Sequence, residues 1–153
     1  MFVSSWRPQP ASDLPEGLIL FDGVCVLCSG MVAFVIPRDT AGRFRFVAIQ
    51  SEAGTLLARR FGIAADDPQA VAVVRNGLAH FKADAAIAIG RGLPGWSWVV
   101  VLKAVPRPIR DFLYDRIARN RYRLFGKRAT CLMPTPEIRS RFIATMPELG
   151  RAR

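Results

Sequence analysis

One short run constrains this chain more than any other. Gly17-Leu18-Ile19-Leu20-Phe21 is continuously apolar and stops at Asp22-Gly23. An apolar stretch of that length, closed by a turn pair, suits a buried strand followed by a tight turn. Val24-Cys25-Val26-Leu27-Cys28 comes next, then Ser29-Gly30-Met31-Val32-Ala33-Phe34-Val35-Ile36 and Pro37. A proline disfavours helical geometry in the residue before it, so the spacing predicts a helix from about Cys25 to Val35. That helix is apolar nearly all round, which predicts burial on most sides.

The rest of the chain extends this unit. Arg43 to Ile49 opens with polar and apolar residues alternating and predicts a second strand. Glu52 to Phe61 has helical spacing, with Leu56, Leu57 and Phe61 on one side, Ser51 as N-cap and Gly62 as terminator. Val71 to Phe81 contains Asn76-Gly77, the strongest short hairpin signal, because both turn residues accept positive φ. A short helix is expected from Asp84 to Ile89. Another is expected from Trp96 to Val105, and a longer one from Pro108 to about Leu124. In the longest, Ile109, Phe112, Leu113, Ile117, Leu124 and Phe125 share a face. A last short helix is expected from Glu137 to Thr145. Strand, helix, strand, helix, hairpin and helices make an α/β chain whose first unit is a βαβ crossover with parallel strands. The expectation is a thioredoxin-like fold: a mixed sheet of about four strands, helices on both faces and an extended helical C-terminal segment. The expected division is a flexible segment over 1–16, one domain over 17–131 and a tail over 132–153.

Composition narrows the function. With 153 residues, 51% of them hydrophobic, the chain can fill one core and is not a disordered protein. Residues 1–17 hold no apolar run of signal-peptide length, and no stretch approaches the roughly 20 apolar residues a membrane span needs. A soluble, cytoplasmic protein is expected. The 3 cysteines are too few for a disulfide scaffold; a close pair and a distant third read as redox chemistry or metal binding. The net charge of +10 is uneven. Lys103 to Arg128 holds nine Lys or Arg and two Asp, hence +7, against +3 for the remainder. That segment could meet an acidic partner, nucleic acid or an anionic membrane surface.

A Cys-x-x-Cys at the start of a helix that follows a strand carries a definite chemistry. The first turn of a helix has free backbone N–H groups and the positive end of the dipole, which favour thiolate over thiol. Cys25 is the expected nucleophile on a substrate disulfide, and Cys28, one turn on, resolves the mixed disulfide. The ordinary alternative is two core cysteines, since free cysteine is commonly buried. No metal or organic cofactor is required; the partners are a disulfide-containing protein or small molecule and a thiol electron donor. Asp22 has two readings, a proton shuttle beside Cys28 or a cap that holds the turn.

Asp22, Cys25 and Cys28 together resemble the motif of the DCC family of predicted thiol–disulfide oxidoreductases. A second family pattern is similar to Pro106-Arg107, Arg110-Asp111, Tyr114, Ala118-Arg119-Asn120-Arg121-Tyr122, Phe125-Gly126 and Cys131. The resemblance spans about Leu18 to Cys131. It implies a thioredoxin-like fold and an activity of the protein-disulfide reductase type. The chain departs from thioredoxins proper in having no Trp before Cys25 and no proline directly before the Val71 strand. Pro68 is the candidate for the proline that thioredoxins set beside the disulfide.

Other readings stay open. Arg107, Arg110, Arg119 and Tyr122 could shape an anionic substrate site, or the arginines could pair with Asp111 and Asp115. If their helix lies beside the Cys25 helix, it would stabilise the thiolate further. Cys25, Cys28, Cys131 and His80 could form a structural zinc site of the Cys₃His type, although a second close ligand pair is missing. Cys131 could also be a third redox thiol or a packed tail residue. The basic segment could serve as a nucleic-acid or anionic-surface module, although no helix-turn-helix, zinc-finger or RNA-binding signature accompanies it.

Overall fold

The computed structural model describes residues 8–23, 26–40, 42–63, 71–120, 123 and 141–151. The elements are β1 (Gln9–Pro10), β2 (Leu18–Phe21), α1 (Val26–Arg38), β3 (Arg45–Ala48), α2 (Glu52–Phe61), β4 (Ala72–Arg75), β5 (Leu78–Phe81) and α3 (Lys82–Arg91). A 3₁₀ helix (Ser97–Ala104), α4 (Arg107–Arg119) and a short α5 (Met146–Arg151) complete them.

The strands form one mixed sheet in the order β1-β5-β4-β2-β3. β2 and β3 are parallel, as a strand–helix–strand crossover requires, with Leu18 opposite Arg45 and Phe21 opposite Ala48. β4 runs antiparallel to β2, and β5 antiparallel to β4. Asn76 (φ 55°) and Gly77 (φ 77°) make the two-residue turn whose positive φ values match strand twist. The four strands β5-β4-β2-β3 and their connections make the fold thioredoxin-like. The sheet has one strand more than expected, because Gln9–Pro10 pairs with Ala79 and Leu78 at the β5 edge. A proline at that position is tolerated because an edge strand need not donate on both sides.

Side-chain alternation splits β2 between two cores. Leu18 and Leu20 join Val47, Ile49, Ala72, Val74 and Phe81 under α2, whose Leu57, Ala58 and Phe61 close that layer. Ile19 and Phe21 join Phe44, Phe46 and Val73 under Val32 and Val35 of α1 and Ala85 and Ile89 of α3. A strand covered on both faces reads as a continuous apolar run, which is why β2 stood out in the sequence.

α2 matches its expected bounds. Ser51 accepts from the Gly54 N–H at 3.0 Å, and Gly62 (φ 79°) caps the far end in the left-handed region. Its Leu56, however, is exposed rather than packed with Leu57 and Phe61. α1 runs through Pro37 to Arg38, past the predicted stop. The carbonyl that loses an N–H partner belongs to Ala33, on the exposed side with Pro37, where water can serve it. The Phe34 and Ile36 carbonyls accept from Arg38 and Arg141 instead. α1 is also less enveloped than its composition predicts, with Val32 and Val35 buried and Ala33 and Pro37 exposed.

The stretch expected as a helix from Trp96 to Val105 is 3₁₀ throughout its helical part and buries only Val99. It lies close on α3, where a Cβ at Gly90 would come within 2.6 Å of Val99. The final helix begins at Met146, and the expected one over 137–145 does not form in its described part. There the Ile143 N–H donates to the Phe46 carbonyl at 2.8 Å and the Ala53 N–H to the Ala144 carbonyl at 2.9 Å. Phe142 bridges Phe46 in parallel register, so the tail covers the open edge of β3.

Candidate functional site

α1 begins at Val26, one residue after Cys25 in the chain, and Cys28 is its third residue. Cys25 and Cys131 lie outside the described residues, as does the side chain of Cys28. The described part of the site is its floor. Asp22, 3% exposed, closes β2, and its Oδ1 accepts from Gln50 Nε2 at 2.8 Å. Gln50 Oε1 in turn accepts from the Gly23 N–H at 2.9 Å. One amide side chain from the end of β3 thus holds both residues of the turn that leads to Cys25. The Ile49 N–H to Phe21 carbonyl bond, 2.8 Å, fixes Gln50 beside them. Gln50 carried no signal in the sequence: its partners are nearly thirty residues away and meet it only through the parallel pairing.

The rim is built by β4, α3 and α4. The β2–β4 register pairs Ile19 with Val73 and Leu20 with Ala72, which sets Val71 opposite Phe21, one residue before Asp22. The Val71 N–H donates to the Tyr114 hydroxyl at 3.0 Å, and its carbonyl accepts from the Lys82 N–H at 3.2 Å. Lys82 adopts φ 57°, a left-handed backbone that costs a non-glycine residue about 1 kcal/mol. Its side chain is 7% exposed, and its ammonium meets Asp115 at 2.7 Å. Arg110 pairs with Asp84, both nearly buried, and donates through Nε to the Val105 carbonyl. Buried charges of this kind persist only when paired.

Arg110, one of the arginines expected at a substrate site or on Asp111 and Asp115, pairs with Asp84 of α3, and Asp115 meets Lys82 of the same helix. The described contacts of α4 anchor it on α3 and the start of β4. Arg119 is exposed, the side chain of Arg107 is not described, and Tyr122 and Pro68 lie outside the described residues.

Arg110 also lines a cleft of about 540 Å³ with Arg75, His80, Asp84, Arg91 and Lys103. Burial holds the His80 imidazole below its usual range against the opposing pull of Asp84, and Lys103 and Arg75 add repulsion. Among the described residues no group of three His, Cys, Asp or Glu side chains could hold a metal ion. The Cys₃His reading depends on cysteine side chains beyond them.

The sheet is thioredoxin-like, and in the sequence the Cys25 and Cys28 pair falls between the end of β2 and the first turn of α1. Residues 19–127 match the family model of DCC1-like thiol-disulfide oxidoreductases, and the chain belongs to that family. The Bacillus subtilis protein YuxK is 41% identical over 134 residues, covering 87% of this chain and 98% of its own length. A chloroplastic DCC family protein of Arabidopsis thaliana is 42% identical over 131 residues, covering 82% of this chain and 76% of its own. No solved structure matches. Among the described residues no helix is long and apolar enough to cross a membrane.

Proposed function

We propose that the chain is a thiol–disulfide oxidoreductase of the protein-disulfide reductase type, with Cys25 as nucleophile and Cys28 as resolving thiol. The observation that carries this reading is the braced turn. Gln50 ties Asp22 and Gly23 at the end of the central strand, and α1 starts immediately after Cys25. A thiolate at the start of such a 13-residue helix is favoured by the free N–H groups of the first turn and the positive end of the dipole. Its sulfur attacks one sulfur of the substrate disulfide; a Cys25–substrate disulfide forms and the other substrate sulfur leaves as thiolate. The Cys28 thiolate then attacks Cys25, the Cys25–Cys28 disulfide forms, and the second substrate thiolate leaves. Two electrons have passed to the substrate, which takes up two protons, and an external dithiol restores the pair.

Asp22 in this reading positions the turn through Gln50, and its carboxylate is assigned the proton exchange with the resolving thiol. Tyr114 takes the Val71 N–H just before β4. The working compartment we infer is the cytoplasm, with a disulfide-bearing protein or small molecule as substrate.

The test is a redox titration in glutathione or dithiothreitol buffers, with alkylation and mass readout. A reversible Cys25–Cys28 disulfide is expected. Cys28→Ser should accumulate the mixed disulfide and Cys25→Ser should abolish insulin reduction. Two thiols that never pair, or that release zinc on alkylation, would sink the reading.

A further inference from the structure

We infer that the outer face of α4, with the 3₁₀ segment before it, is a docking surface for an anionic lipid bilayer. α4 is amphipathic in the inverted sense. Its inward positions are polar: Arg110, Tyr114 and Asp115 hold Asp84, Val71 and Lys82. Its outward positions are apolar, with Ile109 51%, Phe112 60%, Leu113 55% and Ile117 49% exposed. The preceding 3₁₀ segment adds exposed Trp98, Val101 and Leu102. Monomeric proteins seldom leave so many large apolar side chains together in water, and such patches mark contact surfaces.

Charge chooses the occupant. The exposed charges of this region among the described residues are cations: Lys103, Arg116, Arg119 and Arg123. Arg116 lies over the Phe112 ring, 5.9 Å from its centre, so cation and apolar surface adjoin. Both acidic residues of the 103–128 stretch, Asp111 and Asp115, sit on the half-buried side. A second copy of the chain would bring the same cations against these. An anionic headgroup layer above a hydrocarbon layer complements both features, with aromatic and aliphatic side chains entering the acyl boundary and arginines meeting phosphates.

The experiment is co-sedimentation of the full chain with phosphatidylglycerol vesicles and with phosphatidylcholine vesicles, at low and high salt. Binding to phosphatidylglycerol should be on the order of 500-fold tighter, since each of the four surface cations contributes about fivefold. Added salt should weaken it. Phe112→Ser with Leu113→Ser should cut binding by about tenfold or more while leaving the thermal midpoint in place. Lys103→Gln with Arg116→Gln should narrow the preference for the anionic lipid. A Cys25→Ser chain should bind as well as the parent, because docking does not use the thiols. No association with phosphatidylglycerol at low salt would overturn the assignment, as would binding that neither double variant weakens. Self-association lost in the serine variant, with no vesicle binding, would give the face to a second copy.

Discussion

Helices α2 and α4 carry similar amphipathic patterns and lie in the molecule in opposite senses. α2 turns Leu57, Ala58 and Phe61 into the core below the sheet and leaves Glu52, Arg59 and Arg60 outside. Its ends are set locally, by the Ser51 hydroxyl and by the left-handed Gly62. α4 turns its arginine, tyrosine and aspartates inward and its Ile, Phe and Leu outward. One helix is held by apolar burial, the other by ion pairs and a hydroxyl on groups that are themselves nearly buried. Helical periodicity therefore identifies an apolar face but not what that face meets. The meeting partner depends on what the rest of the fold presents, and α3 presents Lys82 and Asp84 where α4 arrives.

The largest effect should separate the two helices outright. Phe61→Ala should cost about 4 kcal/mol in urea unfolding, because Phe61 packs edge-on against Phe81 in a closed layer. Phe112→Ala should stay within about 0.5 kcal/mol, as an exposed side chain with little to lose. Comparable losses from both would show that the α4 face is covered and would end the contrast. Asp84→Asn comes next: it leaves the Arg110 guanidinium without its carboxylate in a nearly buried place and should cost about 3 kcal/mol. Loss of amide protection at Val71 should accompany it, because α4 carries Tyr114. An unchanged unfolding midpoint would mean that α4 is held otherwise.

Ser51→Ala tests the local end of the comparison. Removing the hydroxyl that accepts from Gly54 should lower stability by about 1 kcal/mol, with Ser51→Asp restoring most of it. The smallest effect is a pH dependence near α4. Burial places the folded His80 pKa below its unfolded value of about 6.5. As pH falls through that value, the unfolded chain takes the proton first, so stability declines and levels off only below the folded pKa. Urea midpoints from about pH 8 down to pH 5.5 should show this decline, and His80→Gln should remove it. A rise in stability on acidification would reverse the sign of the assigned environment.

Much of this architecture was legible beforehand where one element decides its own form. The doubly buried β2, the Asn76-Gly77 turn and the Ser51–Gly62 bounds of α2 each follow from side chains within a few residues. The turn before Cys25 was legible in kind, since Asp22-Gly23 after an apolar strand implies one. Its brace was not, because a lone glutamine after a strand has no pattern until the parallel register of β2 and β3 brings Gln50 to Asp22 and Gly23. The passage of α1 through Pro37 and the use of Arg141 on its last carbonyls were hidden for the same reason.

The sequence by itself determined the order of elements from β2 to α3, the hairpin and the caps of α2. Those depend on backbone preference, hydrophobic period and turn chemistry, which act over one or two turns of chain. The tertiary structure alone decided which charges pair, which side of α4 faces water and how Gln50 grips the turn. Asp84 is 26 residues from its α4 partner and Val71 is 43 from its own, with Lys82 between them. A charge pair forms where folding brings two groups out of water together, and no local pattern records that meeting.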